Sequence, residues 1–258
     1  MRFFWLSAIV IVFSFSCNTE STNKSNLLSQ IPSKCNVIIK VNNLESLRTS
    51  VNNNRLLTEL ENFESVKDFQ EHLTPLNYIQ TTLPIYIGVE KDENDSLKLS
   101  MVTAYKKNVF DLDSIPNIAT ETISSKGQTI NKFKIESSLF YSSVKDSILF
   151  ISNKLSNTEN FLKTQKQNYG ASKFFDAANP DKSVTVFSKV PLRILNFKSD
   201  SVLNTVPFSK NTIIDLSFNQ DNIYANGITE ADSSRAFINC FKGTIPQKNR
   251  LSEICPAL

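Results

Sequence analysis

Histidine, tryptophan and glycine are scarce in this 258-residue chain, which has one His, one Trp and five Gly. With His72 as the sole imidazole, any Ser-His-Asp or Cys-His arrangement has to be built around it. The sequence places it on a helix, in Gln70-Glu71-His72-Leu73, as an exposed helical histidine. Five scattered glycines cannot assemble a loop that cradles phosphates. Four cysteines without a close pair do not supply the ligands of a zinc site, and they are too few for a disulfide framework. Charge of one sign is lacking as well. The chain carries 28 Lys+Arg against 25 Asp+Glu, a formal +3 spread along its length. Nucleic-acid binding needs a concentrated positive field, so no nucleic-acid partner is expected. No cofactor and no metal is expected either.

Apolar residues, by contrast, make up 40% of the chain, and Phe alone occurs 19 times. That is enough to bury a core, which excludes a disordered tail. One apolar run is long. Residues 3–15, behind Met1 and Arg2, read FFWLSAIVIVFSF. As a helix rising about 1.5 Å per residue the run spans about 20 Å, short of the ~30 Å hydrocarbon core of a bilayer. It is an export signal in character and not a membrane span.

The run ends at Ser14-Phe15-Ser16-Cys17 and gives way at once to polar Asn18-Thr19-Glu20-Ser21-Thr22-Asn23. This resembles the bacterial lipoprotein signal, with Ser16 as the small residue before the cleaved bond. Ser14 departs from the Leu usual at its place, and Phe15 is bulky. The resemblance implies that residues 1–16 are removed, that Cys17 is lipidated, and that the protein sits in the bacterial cell envelope, at the outer membrane. The alternative is an ordinary secretory peptide. Residues 17–30, rich in Asn, Ser and Thr, then form the lipidated Cys and a flexible tether, with order beginning at Ile31-Pro32.

The rest reads as α+β: an antiparallel sheet of hairpin and meander with packed helices. Val37-Ile38-Ile39-Lys40-Val41 is β-prone and too short for a helix. Asn43 caps a helix with Leu44, Leu47 and Val51 on one side. A second amphipathic piece carries Leu56, Leu57, Leu60 and Phe63, and a third starts from a Ser65/Asp68 capping box. Residues 84–90 and 97–105 form a hairpin across the acidic turn 91–96. A four-strand meander follows at 119–124, 129–135, 139–144 and 147–152, turning at Gly127 and Asp146. Ser156-Asn157-Thr158-Glu159 reads as a capping box for a helix with Phe161 and Leu162, and Phe174 and Phe175 mark a short helical piece.

Then the pattern restarts. Pro180-Asp181-Lys182 and the strand 184–187 echo Pro32-Ser33-Lys34 and the strand 37–41, and a new hairpin follows at 212–218 and 223–229. This weak internal repeat divides the chain into an α+β module, 31–178, and a partial second module with a C-terminal tail, 179–258. A last helix starts at Asp232 or Ser233, carries Phe237, Cys240 and Phe241, and ends at Lys242-Gly243.

Two strings, residues 37–44 (VIIKVNNL) and 241–247 (FKGTIPQ), resemble a domain of unknown function found in secreted bacterial lipoproteins. That resemblance implies an α+β module and brings no activity with it; the non-catalytic reading rests on the export signal and the lack of catalytic groupings. The resemblance also implies that this chain matches the N-terminal part of larger relatives, which continue into further all-β domains. A truncated N-terminal part of a larger envelope protein is therefore one alternative.

Carboxylates offer the other. Asp111-Leu112-Asp113 could present two acids on one face of an extended segment to a hard cation, and Asp92, Glu93 and Asp95 share a turn. A carboxylate- or metal-dependent hydrolase would use Asp111, Asp113 or His72. Solvated caps and turns are the plainer reading. Beyond Cys17, Cys240 and Cys255 are spaced to close a loop, which as a disulfide would contribute about 3 kcal/mol. Three unbridged thiols, with Cys35 at the edge of the first strand, are the alternative. The expected function is thus a lipid-anchored, non-catalytic binding or structural module with the membrane and an envelope protein as partners.

Overall fold

The computed structural model describes residues 27–60, 62–115, 118–125, 127–163, 171–189, 209–231 and 237–245. In chain order the strands are β1 Val37–Val41, β2 Ile85–Lys91, β3 Leu97–Ala104, β4 Thr120–Ser125, β5 Gln128–Ile135, β6 Ser138–Lys145, β7 Ile148–Ser152, β8 Val184–Ser188, β9 Asn211–Phe218 and β10 Ile223–Glu230. The helices are α1 Leu44–Asn52, α2 Arg55–Leu60, α3 Glu64–Leu73, α4 Leu155–Leu162 and α5 Ser172–Ala177, with 3-10 turns at Thr74–Tyr78, Leu112–Ser114 and Phe237–Phe241. All ten strands join one open antiparallel sheet in the order β10-β9-β8-β1-β2-β3-β7-β6-β5-β4. This is the α+β class that the residue pattern predicts.

Local chemistry explains the meander. β6 and β7 are joined by Asp146 and Ser147, both at positive φ (50° and 57°), the type I′ geometry whose twist matches a tight hairpin. Gly127, at φ 78°, turns β4 into β5. In the acidic turn, Asp92 accepts the amides of Asn94 (3.0 Å) and Ser96 (2.9 Å), which closes the β2–β3 hairpin.

Both faces of the sheet are covered, and so the central strands are apolar on both sides. On one face the segment from Leu28 to Cys35, α4 and α5 pack on Ile38, Tyr86, Val102, Phe150 and Phe187. Phe150 and Phe161 stack there at 4.8 Å between ring centroids. On the other, α1, α3 and the 3-10 turn Thr74–Tyr78 cover Val41, Ile85, Ile87, Leu99, Met101 and Ile151.

Inside the sheet, third and fourth from the β10 edge, β8 pairs with β1, Val186 opposite Ile39. The hairpin β2–β3 follows outward from β1, and the hairpin β9–β10 outward from β8. The residues 179–258 that read as a partial second module therefore supply three strands to the same sheet as β1.

Several local expectations are corrected. Order is already present at Leu28, which is buried before Ile31. α3 starts at Glu64 with Phe63 at its cap and no side-chain cap bond, so Ser65 lies inside the helix. α4 likewise starts at Leu155 with Lys154 at the cap, and Ser156 is helical. Its Asn157 and Thr158 turn into the core instead of capping. α2 buries none of its residues: Leu56, Leu60 and the following Phe63 are exposed. Polar contacts set its position. Asn54 accepts the Leu57 amide (3.0 Å) and donates to the carbonyls of Asn219 and Asn222, while the Arg55 amide donates to the Gln220 carbonyl at 2.9 Å. The residues 237–241 form a 3-10 turn, ended by Gly243 at φ 79°, and the expected start at Asp232 or Ser233 lies outside the described residues.

Candidate functional site

Two polar constellations stand out, one inside the protein and one on its surface. The interior one is centred on Glu90 of β2, 3% exposed, on the face covered by α4. Its Oε1 accepts from the Lys154 ammonium and from Asn157 Nδ2, each at 3.0 Å. Asn157 Nδ2 also donates to the Ser100 hydroxyl (3.1 Å), which shares a hydrogen bond with the Ser152 hydroxyl (3.1 Å). Ser152 donates to the Leu99 carbonyl (2.6 Å) and accepts the Lys154 amide (3.2 Å), so the chain of bonds closes on itself. A buried carboxylate needs this compensation. Beside it Cys35 is fully buried, its Sγ 2.7 Å from where a Cβ on Gly88 would lie. Burial, reinforced by the charge of Glu90, pushes the Cys35 thiol up to about 12. One neighbour is left over. Thr158 Oγ1 is buried without a hydrogen-bond partner among the described residues.

The surface constellation is a cleft of about 450 Å³ between α1 and the segments that flank the β2–β3 hairpin. The Gln80 amide donates to the Val109 carbonyl (2.8 Å), and Ile79 bridges to Phe110, which fastens the two flanking segments together. Leu44, Leu83 and Val109 form the apolar part of the lining, and Thr81 and Thr82 add hydroxyls. Arg48, Lys106 and Lys107 supply the positive charge, against Glu45 as the one acid among the described lining residues. Arg48 is fixed: Nη2 donates to the carbonyls of Leu76 and of Ile79 (3.0 Å), and Nη1 lies 3.4 Å from Glu45. Among the described residues neither Lys106 nor Lys107 has an ion pair. Beyond Arg48 a second cleft of about 570 Å³ continues along α1 and α3, lined by Lys67, Glu71 and Glu136 among others.

The residues singled out in the sequence are placed as follows. His72 lies on α3 as expected, but its side chain is only 16% exposed, with Nδ1 2.7 Å from the Asp68 carbonyl oxygen and 3.7 Å from Asp68 Oδ1. Asp111 accepts the Asp113 amide (3.1 Å) and caps the 3-10 turn Leu112–Ser114. In the acidic turn, Asp92 is held below the usual carboxylate range by the Ser96 amide above all, with Lys98 adding to it. Asp95 pairs with Lys91 at 2.8 Å. Among the described residues no three His, Cys, Asp or Glu side chains are grouped to hold a metal ion. Cys240 is exposed and has no disulfide partner among the described residues. Cys17 and Cys255 lie outside the described residues, and with them the lipidation site and the Cys240–Cys255 bridge.

No protein-family model, curated protein or solved structure matches the chain. Sequence reading missed Glu90, Asn157 and Arg48. Glu90 alternates with Val89 on β2 and looks like an outward residue of a half-covered strand; only the helices on both faces bury it. Arg48 carries one weak signal, its place one turn from Leu44 and next to Leu47 on a helix with few charges.

Proposed function

We propose that the chain is a lipoprotein of the bacterial cell envelope, held at the outer membrane through Cys17, and that its folded part is a non-catalytic binding module for an acidic group on an envelope partner. The anchoring half rests on the apolar run and the Ser16-Cys17 step. The observation that carries the binding half is the Arg48 cleft. A guanidinium locked by two backbone carbonyls and Glu45, in a cleft with two ammonium groups that have no ion pair among the described residues, meets an anion without reorganising. The apolar lining from Leu44, Leu83 and Val109 suits the rest of such a ligand. The polar groups around Glu90, in contrast, are consumed by one another, which supports a structural task for them.

Labelled palmitate tests the anchor: incorporation into the wild type and its loss in Cys17→Ala are expected, and equal labelling of both overturns it. For the cleft, a fluorescent hexaglutamate peptide is the probe. Binding is expected to weaken by on the order of ten-fold in Lys106→Ala/Lys107→Ala, and to be unchanged in Lys163→Ala, an exposed lysine on another surface. Equal binding by the cleft variant and the wild type overturns the assignment.

A further inference from the structure

Among the described residues the sheet ends at β10, and the pairing with β9 decides which of its groups face away from the sheet. The Asn219 amide donates to the Asn222 carbonyl at 2.9 Å, and the register runs on from Ile223↔Phe218 to Glu230↔Asn211. Alternation then turns the backbone groups of Tyr224, Asn226 and Ile228 toward β9, and those of Ile223, Ala225, Gly227 and Thr229 outward. Tyr224 and Ile228 are 58% and 53% exposed. Natural edge strands are blunted by Lys, Pro, inward charges or bulges. β10, IYANGITE, has no Lys, Arg or Pro, and its one charge, Glu230, sits at the end, bound to Asn211 (2.8 Å) and Lys173 (3.3 Å). The opposite edge differs. β4 is TETISS, polar but for Ile123, and its Glu121 pairs with Lys132 at 2.7 Å.

The exposed groups of β10 are symmetric about Asn226. Tyr224 stands two residues before it and Ile228 two after, and the flanking Ala225 and Gly227 are the smallest residues of the strand. Gly227 is itself required by β9, since a Cβ there would meet the Ile213 carbonyl oxygen at 2.1 Å. We propose that β10 pairs antiparallel with β10 of a second copy of this chain, about a two-fold axis at Asn226. Ala225 then exchanges both backbone hydrogen bonds with the partner's Gly227, and Tyr224 stands opposite the partner's Ile228. Asn226 faces its own counterpart in a non-hydrogen-bonded pair, where Cα atoms approach to about 4.5 Å. Glu230 falls opposite the neutral Asn222 of the partner subunit, so the two acids stay far apart. A strand from an unrelated protein has no reason to answer this symmetry, whereas a second copy answers it at every position. The pairing stands apart from the cleft and does not need the lipid anchor, although attachment of both copies to one surface would strengthen it through effective concentration.

The test uses the full chain with Cys240→Ser and Cys255→Ser, to which single cysteines are added. Under mild oxidation Asn226→Cys is expected to give a disulfide-linked dimer, and Thr229→Cys on the order of ten-fold less, because its symmetry mate is out of reach. Ile228→Lys is expected to abolish the dimer in sedimentation while leaving the circular dichroism spectrum and the thermal midpoint unchanged. Three results would overturn the proposal: a monomer throughout, cross-linking that is equal at both positions, or a dimer that survives Ile228→Lys. Should that variant fail to fold, the ratio of cross-linking at Asn226 and Thr229 decides alone.

Discussion

Asn157 Nδ2, on helix α4, donates to Glu90 Oε1 of strand β2 at 3.0 Å, and thereby fastens the helix to the middle of the sheet through a carboxylate that water does not reach. The Lys154 ammonium takes the same oxygen from the helix cap. Removing one partner of a buried charge strands the other, so Asn157→Leu is expected to destabilise by about 2–4 kcal/mol. Glu90→Leu should do the same, and the double variant Glu90→Leu/Asn157→Leu should lose less than the sum of the two, because neither charge nor amide is then left alone. Urea denaturation of the four proteins measures this; strict additivity would mean that the bond contributes nothing.

Thr158 offers the opposite sign. Its hydroxyl, on the residue that follows Asn157, is buried with no partner among the described residues, and a methyl group of the same size has no polarity to satisfy. Thr158→Val is expected to stabilise by about 1 kcal/mol, read as a higher urea midpoint at unchanged slope. A lower midpoint would show that the hydroxyl is bonded in solution.

Gly88 is held small by its neighbours. A Cβ at that position would lie 2.6 Å from Ile31 Cγ2 and 2.7 Å from Cys35 Sγ. Gly88→Ala is expected to cost about 1–3 kcal/mol through overpacking. In a Cys35→Ala background the cost should shrink, since one of the two obstacles is gone, and an unchanged cost would assign the whole clash to Ile31.

Alkaline pH probes the same face. The Cys35 thiol and the Tyr86 phenol are both pushed up to about 12 by burial, with the charge of Glu90 assisting at Cys35 and that of Asp176 at Tyr86. In the folded protein both groups keep their protons to higher pH than in the unfolded chain. The unfolded chain therefore binds fewer protons above its own thiol and phenol values, and stability falls as pH rises. This contribution is fully present below about pH 9 and is lost progressively toward pH 12. Urea midpoints from pH 7 upward should decline over that window, less steeply in Cys35→Ala. A thiol reagent at pH 8 should modify Cys240 and spare Cys35 until the protein unfolds.

The strands were legible in the sequence because their evidence is local. β-branched runs such as Val37-Ile38-Ile39 and turn residues such as Asp146 and Gly127 act within a few positions, and the structure places them on β1 and at hairpin turns. The cap expected at Ser156 fails for a non-local reason. Asn157 and Thr158 answer to the sheet beneath α4, whose buried side chains Ser100 and Glu90 come from more than fifty residues away. Glu90 was hidden by the same limit, for a strand pattern does not state whether one face is covered or both. α2 shows the converse, with a convincing apolar spacing at Leu56, Leu60 and Phe63 that the fold leaves exposed because Asn54 and Arg55 hold it to the β9–β10 turn. The Arg48 cleft gathers residues from 44 to 109, and no short window contains it.

The pairing of β1 with β8 joins Val37 to Ser188, about 150 residues apart in the chain. The β4–β7 meander closes through turns of a few residues and can form at once, but β1 lacks one neighbour until nearly three-quarters of the sequence is present. Contacts of such high sequence separation are slow, because loop closure precedes any reward. Refolding should therefore have a fast phase for the meander and a slow one for the seam, and until the second is complete β1 is an open edge that a chaperone, or another unfinished chain, can occupy.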